Sequence, residues 1–212
     1  MKTLLLSMRV SQAESYYEER NSIAFDCIDF FESLGFFIYL VPNNTKYLDK
    51  YLKLDVDLVV FSGGNNLNPE LYKSNMSLED VYPTRDKTEN KLLHFAIKNN
   101  IKVLGICRGL HLINVYFSGQ LNHNIANHVN KNHKLLSNNS LLDGTKVNSF
   151  HNHSLTEKNL SEKMIPIAET EDGTIECAIH INKSILGIQW HPERQKNNSD
   201  RELISQFLKG EL

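Results

Sequence analysis

A cysteine between two glycines is the residue of this chain best suited to nucleophilic chemistry. Cys107 lies in the run Gly-Ile-Cys-Arg-Gly, after the apolar residues 102–106 and before the helix-periodic residues 110–117. A strand that turns sharply into a helix presents the side chain at its apex to substrate, and flanking glycines leave room beside it. The N-terminus of the following helix favours thiolate over thiol. We therefore predict that Cys107 is a catalytic nucleophile.

A second segment supplies the groups that such a nucleophile needs. Residues 187–193 read Gly-Ile-Gln-Trp-His-Pro-Glu, a predicted strand that ends in a histidine and a carboxylate. Histidine suits a group that accepts and then returns a proton, because its unperturbed pKa of about 6.5 lies near neutrality. A nearby carboxylate would orient the ring and favour its protonated form. We predict a catalytic triad of Cys107, His191 and Glu193.

Strands and helices alternate along the first half of the chain, where they would carry Cys107 to the end of a strand. The predicted strands are 3–8, 36–41, 57–61 and 102–106, and the predicted helices are 16–34, 48–52, 86–99 and 110–117. Thr84 or Asp86 is the expected cap of the third helix. This order indicates an α/β fold with a mostly parallel central sheet and helices on both faces.

The second half of the chain has shorter strands. Residues 122–140 are rich in Asn, His and Lys without clear periodicity, and we expect mostly loop there. The predicted strands and the turns between them are 164–169, Asp172-Gly173, 175–181, Asn182-Lys183 and 185–190. This pattern predicts a small antiparallel strand set in the C-terminal half. A closing helix, capped by Asp200, should follow.

The composition is that of an ordinary globular protein. The 212 residues are 41% hydrophobic and 23% charged, with a net charge of −2, and they suit one domain, 1–212. A nearly neutral chain has no global field that attracts nucleic acid or an anionic membrane. The short apolar run after Met1 predicts a first strand rather than a signal peptide, because no small-residue cleavage site follows it. We therefore expect a cytoplasmic protein.

The other cysteines and the histidines do not predict a metal site. Cys27 and Cys177 lie on apolar periodic faces, where a cysteine is ordinarily a small buried hydrophobe. Five histidines lie between positions 122 and 154, at His123, His128, His133, His151 and His153. They follow no helical ligand spacing, and no cysteine or carboxylate completes a set with them. We expect no metal and no cofactor.

The two chemical motifs resemble those of the class I glutamine amidotransferase-like superfamily, which has a Cys-His-Glu triad. The blocks that carry the resemblance are residues 105–109, 191–193, 63–72, Arg85-Asp86 with Glu89, and 147–151. Within the superfamily, the chain most resembles the free-standing γ-glutamyl hydrolases, the branch that includes γ-glutamyl-γ-aminobutyrate hydrolase. The resemblance implies an α/β hydrolase that cleaves a γ-glutamyl amide bond.

The resemblance also implies which other residues meet the substrate. The backbone N–H groups of Gly64 and Arg108 would form an oxyanion hole, since both follow the carboxyl ends of predicted strands. The segment after residue 147 resembles the substrate-contacting segment of the family. It nominates Ser149 and His151 as substrate-binding residues, with Arg108 as another partner for the charged ends of glutamate.

Two positions depart from the family pattern. Many amidotransferases have Gln four residues after the nucleophile, where it helps to hold the glutamyl head group, and this chain has His111 there. The glycine loop of the family often carries an acidic residue where this chain has Asn66. Arg9, Arg85 and Arg194 lie near predicted strand ends, where arginine forks suit phosphate. We nominate His111, Arg85 and Arg9 as further substrate contacts, although Arg85 also fits a structural role at a helix start.

Several functions fit the same triad. The preferred hypothesis is hydrolysis of γ-glutamyl-CDP-amidate in capsular polysaccharide phosphoramidate biosynthesis, because the chain resembles small γ-glutamyl hydrolases of bacterial capsule clusters. The alternatives are a γ-glutamyl-γ-aminobutyrate-type hydrolase of polyamine catabolism and the glutaminase subunit of a two-chain amidotransferase. A non-catalytic protein on this fold is a third alternative, which a complete triad disfavours. The preferred hypothesis requires a small-molecule γ-glutamyl substrate and no obligatory protein partner.

Overall fold

The computed structural model describes residues 1–123, 125–195 and 197–212. In that part of the chain, the strands are β1 Lys2–Ser7, β2 Arg9–Gln12, β3 Glu19–Ser22, β4 Phe36–Val41, β5 Leu58–Phe61, β6 Lys102–Ile106, β7 Asn122–His123, β8 Val129–Lys134, β9 Lys146–Phe150, β10 His153–Ser154, β11 Met164–Glu169, β12 Ile175–His180 and β13 Ile185–Ile188. The helices are α1 Phe25–Ser33, α2 Leu48–Tyr51, α3 Pro83–Lys98, α4 Arg108–Tyr116 and α5 Asn198–Lys209, with short 3₁₀ helices at Pro69–Tyr72 and Pro192–Arg194. Within the described ranges, no helix has both the length and the apolar character needed to cross a bilayer.

Seven strands form the central sheet, in the order β11-β12-β13-β6-β5-β1-β4. The strands from β13 to β4 pair in parallel, whereas β11 and β12 join antiparallel at one edge. The prediction of a mostly parallel sheet with antiparallel strands in the C-terminal half is therefore confirmed. The described residues also form two-stranded sheets from β2 and β3, β7 and β10, and β8 and β9.

Alternation along the parallel strands divides the apolar side chains between two cores. Leu4 and Leu6 of β1 belong to one core, and Leu5 between them belongs to the other. Helices α1 and α5 pack in the first core, and helices α3 and α4 pack in the second. Cys27 and Cys177 are buried in the first core, as expected for small hydrophobic residues.

The segment predicted as one long helix, 16–34, contains a strand and a shorter helix. β2 and β3 pair antiparallel, and α1 begins only at Phe25. The physical reason is that β3 has no apolar residue to bury in a helix interface, so the helical apolar face starts after it. Gly35, with φ +85°, follows the end of the helix as predicted.

Two other element predictions were wrong in part. Helix α3 begins at Pro83, so neither Thr84 nor Asp86 caps it, and proline suits a first helical position because it lacks an N–H. The described residues of 122–140 contain two strands that were not predicted, because β7 and β8 pair there with β10 and β9. Strand β8 is polar and largely exposed, so no apolar alternation marks it in the sequence.

Asp200 joins the closing helix to the strand end that carries His191. Helix α5 is capped by Asn197, whose side chain accepts a hydrogen bond from the Ser199 N–H, so Asp200 is not the predicted cap. The Asp200 carboxylate instead accepts a hydrogen bond of 2.9 Å from the buried Trp190 indole. This contact holds the residue that precedes His191.

A buried cluster of four charges joins α3 to α4 beneath the glycine loop, residues 62–65, which follows β5. Arg85 and Glu89 of α3 pair at 2.9 Å, and Arg108, the first residue of α4, pairs with both Glu89 and Asp86. Arg85 also donates hydrogen bonds to the carbonyl oxygens of residues 62–64. All four side chains are at most 5% exposed. Because a buried charge is tolerated only with its partners, each side chain restrains the others.

Replacing Glu89 with Gln is expected to lower the free energy of unfolding by about 3–5 kcal/mol, because Arg85 and Arg108 would lose the carboxylate that they share. Chemical denaturation at pH 7 measures the difference. Glu32→Gln removes an exposed carboxylate on α1 and is the control, with an expected change below about 0.5 kcal/mol. Equal stability of Glu89→Gln and the unmodified protein would contradict this role of the cluster.

Candidate active site

Cys107 lies on the tight turn between β6 and α4. Its backbone has φ 53° and ψ −105°, a strained conformation for a residue with a Cβ. Its N–H donates to the Ile188 carbonyl at 2.7 Å. A Cβ on Gly105 would lie 2.5 Å from the backbone of Gly109, and a Cβ on Gly109 would lie 2.3 Å from the Phe61 carbonyl oxygen. Both glycines are therefore required by close packing of α4 on the sheet.

His191 follows the end of β13 and is held by three contacts. The Asn148 side chain accepts from the His191 N–H at 2.9 Å and donates to its carbonyl at 2.8 Å. Its Nδ1 lies 2.6 Å from Glu193 Oε1. Its ring packs on Gly63, where a Cβ would lie 2.7 Å from Cε1. Because a carboxylate accepts hydrogen bonds, Nδ1 carries a hydrogen and Nε2 remains for proton exchange.

The Cys107 and His191 side chains meet over Gly63. The point where a Gly63 Cβ would lie is 3.4 Å from the Cys107 Cβ and 3.5 Å from the His191 Nε2. Burial raises the pKa of Cys107, but a hydrogen bond and the charge of His191 outweigh burial and hold that pKa below its ordinary value. Burial lowers the pKa of His191, but hydrogen bonds with Cys107 and Glu193 raise it to about 9. Both shifts favour a thiolate beside an imidazolium at neutral pH.

These two side chains open into a cavity of about 310 Å³. The residues of the predicted site that line it are Cys107, His191, Gly64, Arg108, His111, His151 and Arg9. The carboxylate of Glu193 is only 8% exposed and is paired with His191. The cavity therefore brings together seven of the ten predicted site residues, and an eighth pairs with one of them.

Both predicted oxyanion donors border this cavity. The Arg108 N–H is one of the groups that hold the pKa of Cys107 below its ordinary value, and it lies at the helix end where the dipole favours negative charge. Gly64 has φ +77°, and its carbonyl oxygen accepts a hydrogen bond from Arg85. Arg85 of α3 thus holds the carbonyl group of Gly64 in place. The role of these two N–H groups as oxyanion donors stays a prediction.

Arg85 and Ser149 lie away from the cavity, so the predicted substrate contacts of these two side chains are corrected. Arg85 is fully buried, and its guanidinium supports the glycine loop from beneath. Ser149 is also fully buried, and its hydroxyl donates to the His128 carbonyl at 2.6 Å. The Arg108 side chain pairs with Glu89 inside the charge cluster, so only the backbone of Arg108 suits substrate.

His111 lines the cavity as a neutral ring. Its Nε2 lies 2.8 Å from Gln189 Oε1, and burial lowers the pKa of His111 to about 3. A contact with substrate would therefore be a hydrogen bond and not an ion pair. Sequence reasoning assigned Gln189 only to a strand, because its position behind His111 depends on how α4 packs on β13.

His151 lies beside a buried carboxylate. Its Nδ1 is 2.9 Å from the His153 carbonyl oxygen, and its Nε2 is 3.4 Å from Glu176 Oε1. Burial lowers the pKa of His151, but Glu176 raises it above its ordinary value. Sequence reasoning missed Glu176, because apolar residues surround it in β12 and only the folded sheet brings it to His151.

Phe150 and Arg194 form a wall of the cavity beside His191. The Arg194 guanidinium lies 4.7 Å from the centroid of the Phe150 ring, which meets the His191 ring edge to face at 6.2 Å. Sequence reasoning did not assign Phe150 to the site, although an aromatic residue next to His151 was an available signal. Within the described ranges, neither Arg9 nor Arg194 forms an ion pair with a carboxylate.

Comparison with known proteins finds relatives along nearly the whole chain. The family profile described as Peptidase C26 matches residues 7–193. A glutamine amidotransferase-like protein of Lactococcus lactis, YvdE, is 31% identical over 208 residues, which cover 87% of each chain. A γ-glutamyl-CDP-amidate hydrolase of Campylobacter jejuni is 28% identical over 205 residues, which cover 96% of each chain.

The fold has counterparts among solved structures. A GMP synthase subunit from Thermoplasma acidophilum superposes with a TM-score of 0.70, over 99% of this chain and 93% of that one. The sequence identity is 19%, so this similarity concerns the fold alone. It agrees with the mostly parallel sheet described above.

Cys107 is expected to react with iodoacetamide fastest of the three cysteines at pH 7, because burial raises the pKa values of Cys27 and Cys177. His191→Gln should raise the pKa of Cys107 and slow its alkylation at pH 7 about tenfold for each unit of that increase. The pH profile of alkylation, read by peptide mass spectrometry, tests both points. His94→Gln, an exposed histidine of α3, is the control. An unchanged profile in His191→Gln would contradict the coupling.

Proposed function

The chain belongs to the Peptidase C26 family of glutamine amidotransferase-like hydrolases, and we propose that it cleaves a γ-glutamyl amide bond with Cys107 as its nucleophile. The observation that carries this proposal is the meeting of Cys107 with His191 over Gly63. Glu193 lies on the far side of the same imidazole. A thiolate, a proton donor and an orienting carboxylate are the groups that acyl transfer from an amide requires.

In the first step, the Cys107 thiolate attacks the γ-carbonyl carbon and a carbon–sulfur bond forms. The negative charge moves to the carbonyl oxygen, where the N–H groups of Gly64 and Arg108 would bind it. Loss of one such donor typically lowers the rate about 100- to 1000-fold. The carbon–nitrogen bond then breaks, and His191 gives its proton to the departing nitrogen. A γ-glutamyl thioester of Cys107 and a neutral His191 result.

In the second step, water hydrolyses the thioester. Neutral His191 takes a proton from the attacking water as the carbon–oxygen bond forms at the γ-carbon. The carbon–sulfur bond breaks, glutamate leaves and the Cys107 thiolate is restored beside the His191 imidazolium. Glu193 stabilises this imidazolium through its 2.6 Å contact, so the resting state is ready for the next attack.

The glutamyl head group would bind on the side of the cavity formed by His111 and His151. Neutral His111 offers a hydrogen bond, since its charge is suppressed by burial. The raised pKa of His151 provides positive charge for a carboxylate. His111 and His151 together would then take the role of the glutamine that many family members have at the position of His111.

Cys107→Ala is expected to lower glutamate release from a panel of γ-glutamyl amides by at least about 1000-fold, because no other group can form the thioester. Enzymatic assay of glutamate measures this loss. Cys27→Ala, which removes a buried thiol in the core, is the control and should retain activity. Unchanged turnover in Cys107→Ala would contradict the mechanism. Activity on glutamine alone, dependent on a copurifying synthase, would instead indicate a glutaminase subunit.

For the leaving group, we infer a diphosphate-bearing nucleotide amide, as in γ-glutamyl-CDP-amidate. Arg9 and Arg194 both line the cavity, and no carboxylate pairs with either among the described residues. Guanidinium forks without acidic partners suit phosphate oxygens. The Campylobacter jejuni relative supports this choice, because its name states that substrate. The single carboxylate of γ-aminobutyrate would engage at most one of the two guanidinium forks, whereas a diphosphate offers oxygens to both.

Arg9→Gln and Arg194→Gln are each expected to raise the KM for γ-glutamyl-CDP-amidate by about 10- to 100-fold, because each removes a charge-assisted hydrogen bond to phosphate. The kcat/KM for γ-glutamyl-γ-aminobutyrate should stay within about threefold. Steady-state assays with both substrates separate the two predictions. Arg201→Gln, on α5 beside Phe30, is the control. Equal losses on both substrates would argue against a diphosphate subsite.

A further inference from the structure

Two histidines and a glutamate meet behind the wall of the cavity. His128 directly precedes β8, His151 directly follows β9, and Glu176 belongs to β12 of the central sheet. Their ligand atoms all lie within 4.8 Å of one another, and all three residues are at most 4% exposed. The sequence did not predict this set, because hairpin pairing joins the two histidines and the central sheet supplies the carboxylate.

The contacts of each histidine determine which nitrogen faces the others. The His128 Nε2 lies 2.8 Å from the Asp172 carboxylate, and the His151 Nδ1 lies 2.9 Å from the His153 carbonyl oxygen. Both partners accept hydrogen bonds, so in a neutral ring each of these nitrogens carries the hydrogen. The lone pairs then belong to His128 Nδ1 and His151 Nε2. Metal-binding histidines are ordinarily oriented in this way, with the second nitrogen bound to a carboxylate or a carbonyl.

The inward-facing atoms lack hydrogen-bond partners. Within the described ranges, His128 Nδ1, His151 Nε2 and both Glu176 carboxylate oxygens are buried without a hydrogen bond. Buried polar atoms without partners are costly. A proton on His151 Nε2 would allow that nitrogen to donate a hydrogen bond, but it would leave His128 Nδ1 without a partner. A single cation between the three side chains would satisfy them together.

We propose that His128, His151 and Glu176 bind one divalent transition-metal ion, with zinc as the best fit. Imidazole nitrogens and a carboxylate bind Zn²⁺ at about 2.0–2.2 Å, which places tetrahedral ligand atoms about 3.3 Å apart. The His151 Nε2 and Glu176 Oε1 are 3.4 Å apart. Ca²⁺ and Mg²⁺ fit poorly because they prefer oxygen ligands. The ligand atom of His128 lies within 4.8 Å of the other two, so the side chain of His128 would move toward them to complete the set.

The ion would tie the β8–β9 hairpin to the central sheet. That hairpin carries Phe150 and His151, which line the catalytic cavity, and Asn148, which holds the backbone of His191. The ion would also keep positive charge at the place where a protonated His151 would otherwise supply it. The proposal changes one point of the proposed function: with its Nε2 on the ion, His151 carries no proton there, and the ion supplies the charge for the glutamyl carboxylate.

The test measures zinc content and thermal stability of the full chain. After dialysis against a chelator and titration with ZnCl₂ alone, we expect one zinc per chain by plasma mass spectrometry and a rise in Tm. His128→Gln and Glu176→Gln should weaken zinc binding by more than about 100-fold. Asp172→Asn changes an exposed residue, and should weaken binding about 10- to 100-fold through the orientation of His128.

Two controls separate this site from other zinc-binding groups. His123→Gln alters a half-buried histidine outside the cluster and should bind zinc as the unmodified protein does. Cys107→Ala should also retain the ion, and Co²⁺ substitution should give the absorption of a four-coordinate site without a sulfur charge-transfer band. Loss of zinc in Cys107→Ala, binding unaffected by Asp172→Asn and Glu176→Gln, or no rise in Tm with zinc would each overturn the proposal.

Discussion

Arg108 follows Cys107 in sequence, and its guanidinium is buried against Glu89 and Asp86 of α3. The same Glu89 pairs with Arg85, which holds the carbonyl oxygens of the glycine loop. The start of α4 and the glycine loop, which packs on His191, are therefore both held through the carboxylate of Glu89. Separating buried charges from their partners costs a large amount of free energy. The cluster therefore fixes the distance between the start of α4 and the glycine loop. The strained backbone of Cys107 needs such a support.

The proton shared by Cys107 and His191 is governed by a balance between burial and pairing. Burial alone would keep both groups neutral, since it raises the pKa of Cys107 and lowers the pKa of His191. Their mutual contact and the Glu193 carboxylate reverse both tendencies. The core cysteine Cys177 shows the outcome without such partners, because burial then raises its pKa. Reactivity thus follows from the neighbours of the thiol and not from its exposure.

Residues with strong local signals were predictable from the sequence. Strand β4 has the predicted bounds, because an apolar run lies between Gly35 and Pro42. The proposed triad was visible because its members lie in two short motifs at strand ends. Strand β3 could not be predicted from the sequence, because it is polar and its pairing with β2 depends on tertiary contacts. Glu176 and Phe150 were missed for the same reason, since their places at the site are decided by partners distant in sequence.

The two histidine–carboxylate pairs beside the cavity differ in the distance between their atoms. The His191 Nδ1 lies 2.6 Å from Glu193 Oε1, the separation of a short charge-assisted hydrogen bond that orients the ring. The His151 Nε2 lies 3.4 Å from Glu176 Oε1, longer than an ordinary N–H···O hydrogen bond. A wider gap lined by lone pairs suits a larger cation than a proton. The first pair therefore orients the ring that exchanges a proton at Nε2, and the second would hold the proposed ion.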